Sequence, residues 1–139
     1  MVGRSPLILT GSVVIVVDEE RNILLQHRND GTWGLPGGLQ ELGESMEETG
    51  KREVKEETGL EVSDCTFLDI FSGDNYFFKL ANGDQFYSVT AVFVTNTFRG
   101  ELKNEQKEGK EVRFFSADSL PDNIKNEYKD YLNSWRKFY

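Results

Sequence analysis

Residues 7–18, LILTGSVVIVVD, constrain the fold more than any other stretch. Branched Val and Ile side chains are stiff at χ1 and pack well on a pleated surface, so the run reads as a strand rather than a helix. Its apolar residues are too continuous for a half-wet strand, so it is mostly buried. After a turn at residues 19–22, ILLQHR (residues 23–28) returns as a second strand. Residues 29–38, dense in glycine with one proline, read as a loop. Residues 60–71, 76–80, 85–98 and 111–116 read as further strands, with ANGD at 81–84 as a hairpin turn. Ser45, with Glu48 three residues later, marks a capping box; that helix runs to Thr58 and stops at Gly59. A C-terminal helix over residues 123–135 carries Ile124, Tyr128, Tyr131, Leu132 and Trp135 at helical spacing. A single domain over residues 1–139 follows, with a mixed β-sheet covered by helices in an α/β or α+β arrangement.

Charge and cysteine content narrow the function. The net charge is −8, which argues against duplex nucleic acid as a partner. No apolar run is long enough to span a membrane, and residues 7–17 lack the flanks of a signal peptide. Cys65 is the only cysteine, which excludes an internal disulfide and fits a cytoplasmic protein.

Residues 38–60 hold seven glutamates against three basic residues. Glu53, Glu56 and Glu57, at i, i+3 and i+4, share one stripe of the predicted helix. Met46, Gly50 and Val54 form another, which suits packing on a sheet. Like charges three or four apart oppose the helix, and Gly50 costs it about 1 kcal/mol. Such conflicts concentrate at functional sites. The acidic stripe has three readings: a solvated face; a salt-bridged face with Glu48–Arg52 and Glu47–Lys51 pairs; or a site for a hard cation such as Mg²⁺ or Mn²⁺.

The spacing G-x5-E-x7-R-E-U-x-E-E-x-G-U, with U a bulky aliphatic, is met at Gly38, Glu44, Arg52, Glu53, Val54, Glu56, Glu57, Gly59 and Leu60. This resembles the Nudix box, and WGLPGG at residues 33–38 resembles its usual lead-in. The resemblance implies a MutT-like α/β/α sandwich that hydrolyses nucleoside diphosphate derivatives with Mg²⁺ or Mn²⁺. It implies that Glu56 and Glu57 are the main metal ligands, that Glu53 is a further ligand or activates water, and that Arg52 orients the catalytic carboxylate. Gly37 or Gly38 would offer a backbone carbonyl near the metal, and Glu44 would support the loop. By resemblance to MutT-type members, Glu108 is a further metal ligand or base outside the box, with Glu105 and Glu111 as neighbours; the bland alternative is a solvated loop charge.

Substrate choice is less legible. Tyr76 lies where dinucleoside-polyphosphate hydrolases place a tyrosine, or else is a packed strand aromatic. A base could stack on Tyr76, Phe77, Phe78, Phe86 or Tyr87, although strand alternation turns some of these inward. His27 and Trp33 read first as packing residues, and a lone His and Cys support neither a zinc site nor a Cys–His nucleophile. Two functions remain: a pyrophosphohydrolase of a nucleotide-type small molecule, or a non-catalytic nucleotide sensor. The substrate of the first is a nucleoside triphosphate (including oxidised forms), a dinucleoside polyphosphate, ADP-ribose or a nucleotide sugar. The intact box and the absence of an attached DNA-binding domain favour the enzyme. The aromatic C-terminal helix docks either on its own sheet or on a partner in a homodimer.

Overall fold

The computed structural model describes residues 5–103 and 111–139. Its elements follow the order β1 (Leu7–Val16), β2 (Asn22–His27), β3 (Trp33–Gly34), β4 (Gly37–Leu39), α1 (Met46–Thr58) and β5 (Glu61–Phe71). A 3-10 turn (Asp74–Tyr76), β6 (Phe77–Lys79), β7 (Gln85–Arg99), β8 (Val112–Ser116) and α2 (Asn126–Phe138) complete it. One sheet has the order β4-β1-β7-β5, with β6 also paired to β7; the other is β3-β2-β8. The first is mixed, because β1 and β7 run parallel while β4 and β5 are antiparallel to their neighbours.

Alternation along the buried strands divides the core in two. Val13 and Ile15 of β1, Ile23 and Leu25 of β2, and Val92 and Val94 of β7 pack with Tyr131, Leu132 and Trp135 of α2. Their neighbours Val14, Val16, Leu24, Ala91 and Phe93 pack with Val54 of α1. One helix therefore covers each face, which is the α/β/α sandwich with a mixed sheet between helices. The C-terminal helix docks on its own sheet, with Trp135 only 1% exposed. Among the described residues, no helix is long and apolar enough to cross a membrane.

Three elements depart from expectation. The glycine-rich loop at 29–38 is partly strand. β4 lies against β1 so closely that a Cβ on Gly37 would sit 2.3 Å from the Ser12 carbonyl oxygen; glycine here permits the pairing rather than breaking it. α2 begins at Asn126 because Lys125 is extended (φ −63°, ψ 152°). Ile124 forms a parallel bridge with Trp33 instead of joining the helix. Tyr76 lies in the 3-10 turn, not in a strand.

Candidate active site

Local chemistry fixes the acidic helix. The Ser45 hydroxyl accepts the Glu48 amide (3.1 Å) and Glu48 Oε1 accepts the Ser45 amide (2.8 Å), an N-cap worth about 1 kcal/mol. Gly59 ends the helix at φ 86°, donating its amide to the Lys55 carbonyl. Gly50 explains its own cost: a Cβ there would meet Val14 Cγ2 at 2.9 Å, so the missing side chain lets α1 lie against β1. The Ser12 hydroxyl donates to the Met46 carbonyl at 2.6 Å, tying the start of the helix to the same strand.

Arg52 organises the carboxylates. Its Nε and Nη2 donate to both oxygens of Glu44 (2.6 and 3.1 Å), and Nη2 also donates to the Leu39 carbonyl. Nη1 donates to Glu53 (3.1 Å) and Glu56 (3.2 Å). Glu44 further accepts the Glu41 amide and the Thr49 hydroxyl. The Arg52 hydrogen bond, followed by that amide, lowers the Glu44 pKa to about 2. The expected Glu48–Arg52 pair is replaced, since the capping box occupies Glu48 and the bidentate Glu44 claims the guanidinium. The Glu47–Lys51 pair forms at 3.2 Å.

The other carboxylates reach across to β4. Glu57 Oε1 accepts the Gly37 amide at 2.9 Å. A Cβ on Gly38 would lie 2.3 Å from Glu53 Oε2, so only glycine leaves room for the Glu53 carboxylate. Burial pushes the Glu53 pKa up, against the pull of Arg52. Glu56 is the outermost, its side chain 57% exposed. Gly38 presents its carbonyl close over Gly11, where a Cβ would stand 2.5 Å from the oxygen. Among the described residues, no three His, Cys, Asp or Glu side chains already converge as a metal cage. The donor set nevertheless fits a hard divalent cation: carboxylate and carbonyl oxygens, with a glycine cradle holding one carboxylate against the strand.

A cleft of about 450 Å³ opens on the other side of β4, with Gly37 and Gly38 at its rim and Phe78, Phe86 and Tyr128 among its walls. Arg28 lies over the Tyr128 ring (5.1 Å) and donates to the Leu35 carbonyl. Lys125 pairs with Asp30 at 2.9 Å. Burial raises the Tyr128 pKa. Sequence reasoning did not single out Arg28, Lys125 or Tyr128 for the site. They come from β2's end and α2's start, and no local spacing links them.

Other sequence candidates lie elsewhere. Tyr76 does not reach the cleft; it is 8% exposed in the α2-side core and donates to Asp130 at 2.9 Å. Phe78 and Phe86 line the cleft, whereas Phe77 and Tyr87 pair with each other at alternate positions. Trp33 is 7% exposed, packed between His27 and Phe115. Burial pushes the Cys65 thiol up to about 11, a poor nucleophile at neutral pH. Glu105 and Glu108 lie outside the described residues. Glu111 pairs with Arg113 at 3.6 Å.

A helix held by Arg52 and closed onto a glycine strand at the edge of an α/β/α sandwich defines a MutT-like architecture. The NUDIX domain model matches residues 9–135, and the chain belongs to the Nudix family. It is similar to the ADP-ribose pyrophosphatase of Methanocaldococcus jannaschii, 33% identical over 110 residues, covering 76% of this chain and 61% of that protein. The NAD-capped RNA hydrolase NudC of Vibrio vulnificus is 31% identical over 113 residues, covering 78% of this chain and 39% of that one. The chain thus spans less than two thirds of either relative. The crystal structure of a MutT NUDIX hydrolase from Burkholderia pseudomallei superposes with a TM-score of 0.75 at 27% identity, covering 91% of this chain and 97% of that one. Nudix hydrolases generally use divalent metals.

Proposed function

We propose that this protein is a Mg²⁺- or Mn²⁺-dependent pyrophosphohydrolase that cleaves the phosphoanhydride link of a nucleoside diphosphate derivative. One observation carries the reading: Glu53 and Glu57 both close on Gly37–Gly38, where the nucleotide-sized cleft begins. Glu56 and Glu57 would hold the cation, with Glu53, the Gly37 or Gly38 carbonyl and, outside the box, Glu108 as further ligands. The bound ion neutralises phosphate oxygens and lowers the pKa of attacking water. Glu53, partly desolvated, would either join those ligands or take the proton of that water. Arg52 sets its position, and Glu44, ionised far below neutral pH, fixes Arg52.

Nucleoside triphosphates, including oxidised forms, are the first substrate class, as the MutT-like box implies. ADP-ribose is the second, favoured by the relative of that name; dinucleoside polyphosphates and nucleotide sugars complete the panel. The lone cysteine fits work in the cytoplasm. Hydrolysis of this panel with Mg²⁺ and Mn²⁺, products resolved by chromatography, tests the reading. Cleavage of one class at its pyrophosphate link supports it. Binding without turnover of any compound would instead make the domain a nucleotide sensor.

A further inference from the structure

The floor of the cleft contains a hydroxyl that folding does not explain. Alternation along β7 turns Phe86, Ser88 and Thr90 toward it. Phe86 stacks on Phe78 across the strands, ring centroids 5.4 Å apart at 28°, which lines the cleft with apolar ring surface. Thr90 is 8% exposed, and its side chain lies beside the Tyr131 hydroxyl. Ser88 lies between them, opposite Leu9 of β1. Its Oγ is shielded from bulk solvent and has no hydrogen-bond partner in the protein. A strand position flanked by Phe86 and Leu9 favours a branched aliphatic residue, and a buried hydroxyl with no partner is unfavourable there.

We propose that Ser88 is a specificity-determining residue: its hydroxyl bonds the edge of a nucleobase that packs against the Phe78–Phe86 pair. The inference rests on the nucleotide reading above. Rotation of the serine χ1 between staggered wells reorients Oγ without moving the backbone. The hydroxyl both donates and accepts, so it serves a base edge of either polarity. The ribose and phosphates then run toward Gly37 and Gly38, which line the same cleft. In this arrangement the α1 carboxylates decide whether a phosphoanhydride is cleaved, and Ser88 takes part only in which nucleoside carries it.

The test is calorimetric binding of AMP, GMP, CMP and UMP, with ribose 5-phosphate as the base-free control, to wild type and Ser88→Ala. The best-bound nucleotide should weaken roughly 3- to 10-fold in the variant, the range for one hydrogen bond. Ribose 5-phosphate should bind both proteins equally, and the free variant should melt no lower than wild type. Equal nucleotide affinity in the two proteins would overturn the proposal. So would an equal loss for ribose 5-phosphate, or a wild type that binds none of the four nucleotides. Failure of the hydrolase reading is distinguishable: a wild type that binds bases through Ser88 but cleaves no pyrophosphate leaves this inference standing.

Discussion

The two sides of β4 are encoded differently. On the α1 side, Glu44, Arg52, Glu53, Glu56 and Glu57 lie within 14 residues and are arranged by helix spacing and one guanidinium. On the α2 side, the cleft draws its walls from β1, β4, β6, β7 and α2, with Arg28 just beyond the end of β2. On the proposed reading, the first region carries chemistry in a local pattern and the second carries recognition in tertiary packing. Altering one side should therefore change turnover and altering the other should change affinity.

The largest effect is expected on the α1 side. Glu57→Gln should lower turnover by more than about 100-fold, exceeding the usual cost of a supporting residue. Its melting temperature should stay near that of wild type; a steady-state assay with a thermal melt checks both. Turnover within a few-fold of wild type would remove Glu57 from the reaction.

Next comes a pair of glycines at the boundary. Gly38→Ala meets the mobile end of Glu53, which can swing away, whereas Gly11→Ala meets the Gly38 backbone oxygen at 2.5 Å. Gly38→Ala should lose roughly 10- to 100-fold in turnover with little loss of stability. Gly11→Ala should destabilise by about 1–3 kcal/mol through overpacking. Denaturant melts and kinetics on both variants separate displacement of a carboxylate from distortion of the sheet.

A smaller effect is expected from the cleft. Phe78→Ala should raise KM by about tenfold, at the low end of base stacking, while kcat holds. A fall in kcat with unchanged KM would merge the two regions. The smallest effect concerns Asp30, which braces Lys125 beside the cleft. Its carboxyl is held below the usual range by the Thr32 hydroxyl, then by Lys125. A lowered folded-state pKa contributes stability above the unfolded value of about 3.9 that is lost as pH falls below it. Asp30→Asn should therefore melt slightly below wild type at neutral pH, converge with it as the pH falls below about 4, and so flatten the acid limb of the stability curve.

The contrast also explains what was legible in the sequence. The capping box at Ser45, the stop at Gly59 and the acidic stripe depend on neighbours within one or two turns, and the structure has them as read. The packing of Gly50 and Val54 was visible for the same reason. Of the readings open for the stripe, the Glu48–Arg52 pair does not form, because the cap claims Glu48, and Arg52 instead bonds Glu53. β4 was hidden because glycine reads as loop unless the opposing strand is known. Tyr76 resembled a substrate contact in sequence but serves the α2-side core. Arg28, Tyr128 and Ser88 carried no local signal, since only the fold brings β7, α2 and the residue after β2 around one cleft.

The central claim is that the α1 carboxylates hold the cation independently of the cleft. Titration of Mn²⁺ into wild type, Glu57→Gln and Phe78→Ala, followed by calorimetry, tests it most directly. The account predicts that Glu57→Gln weakens Mn²⁺ at least about tenfold while Phe78→Ala binds it as wild type does. Undiminished Mn²⁺ affinity in Glu57→Gln would contradict it.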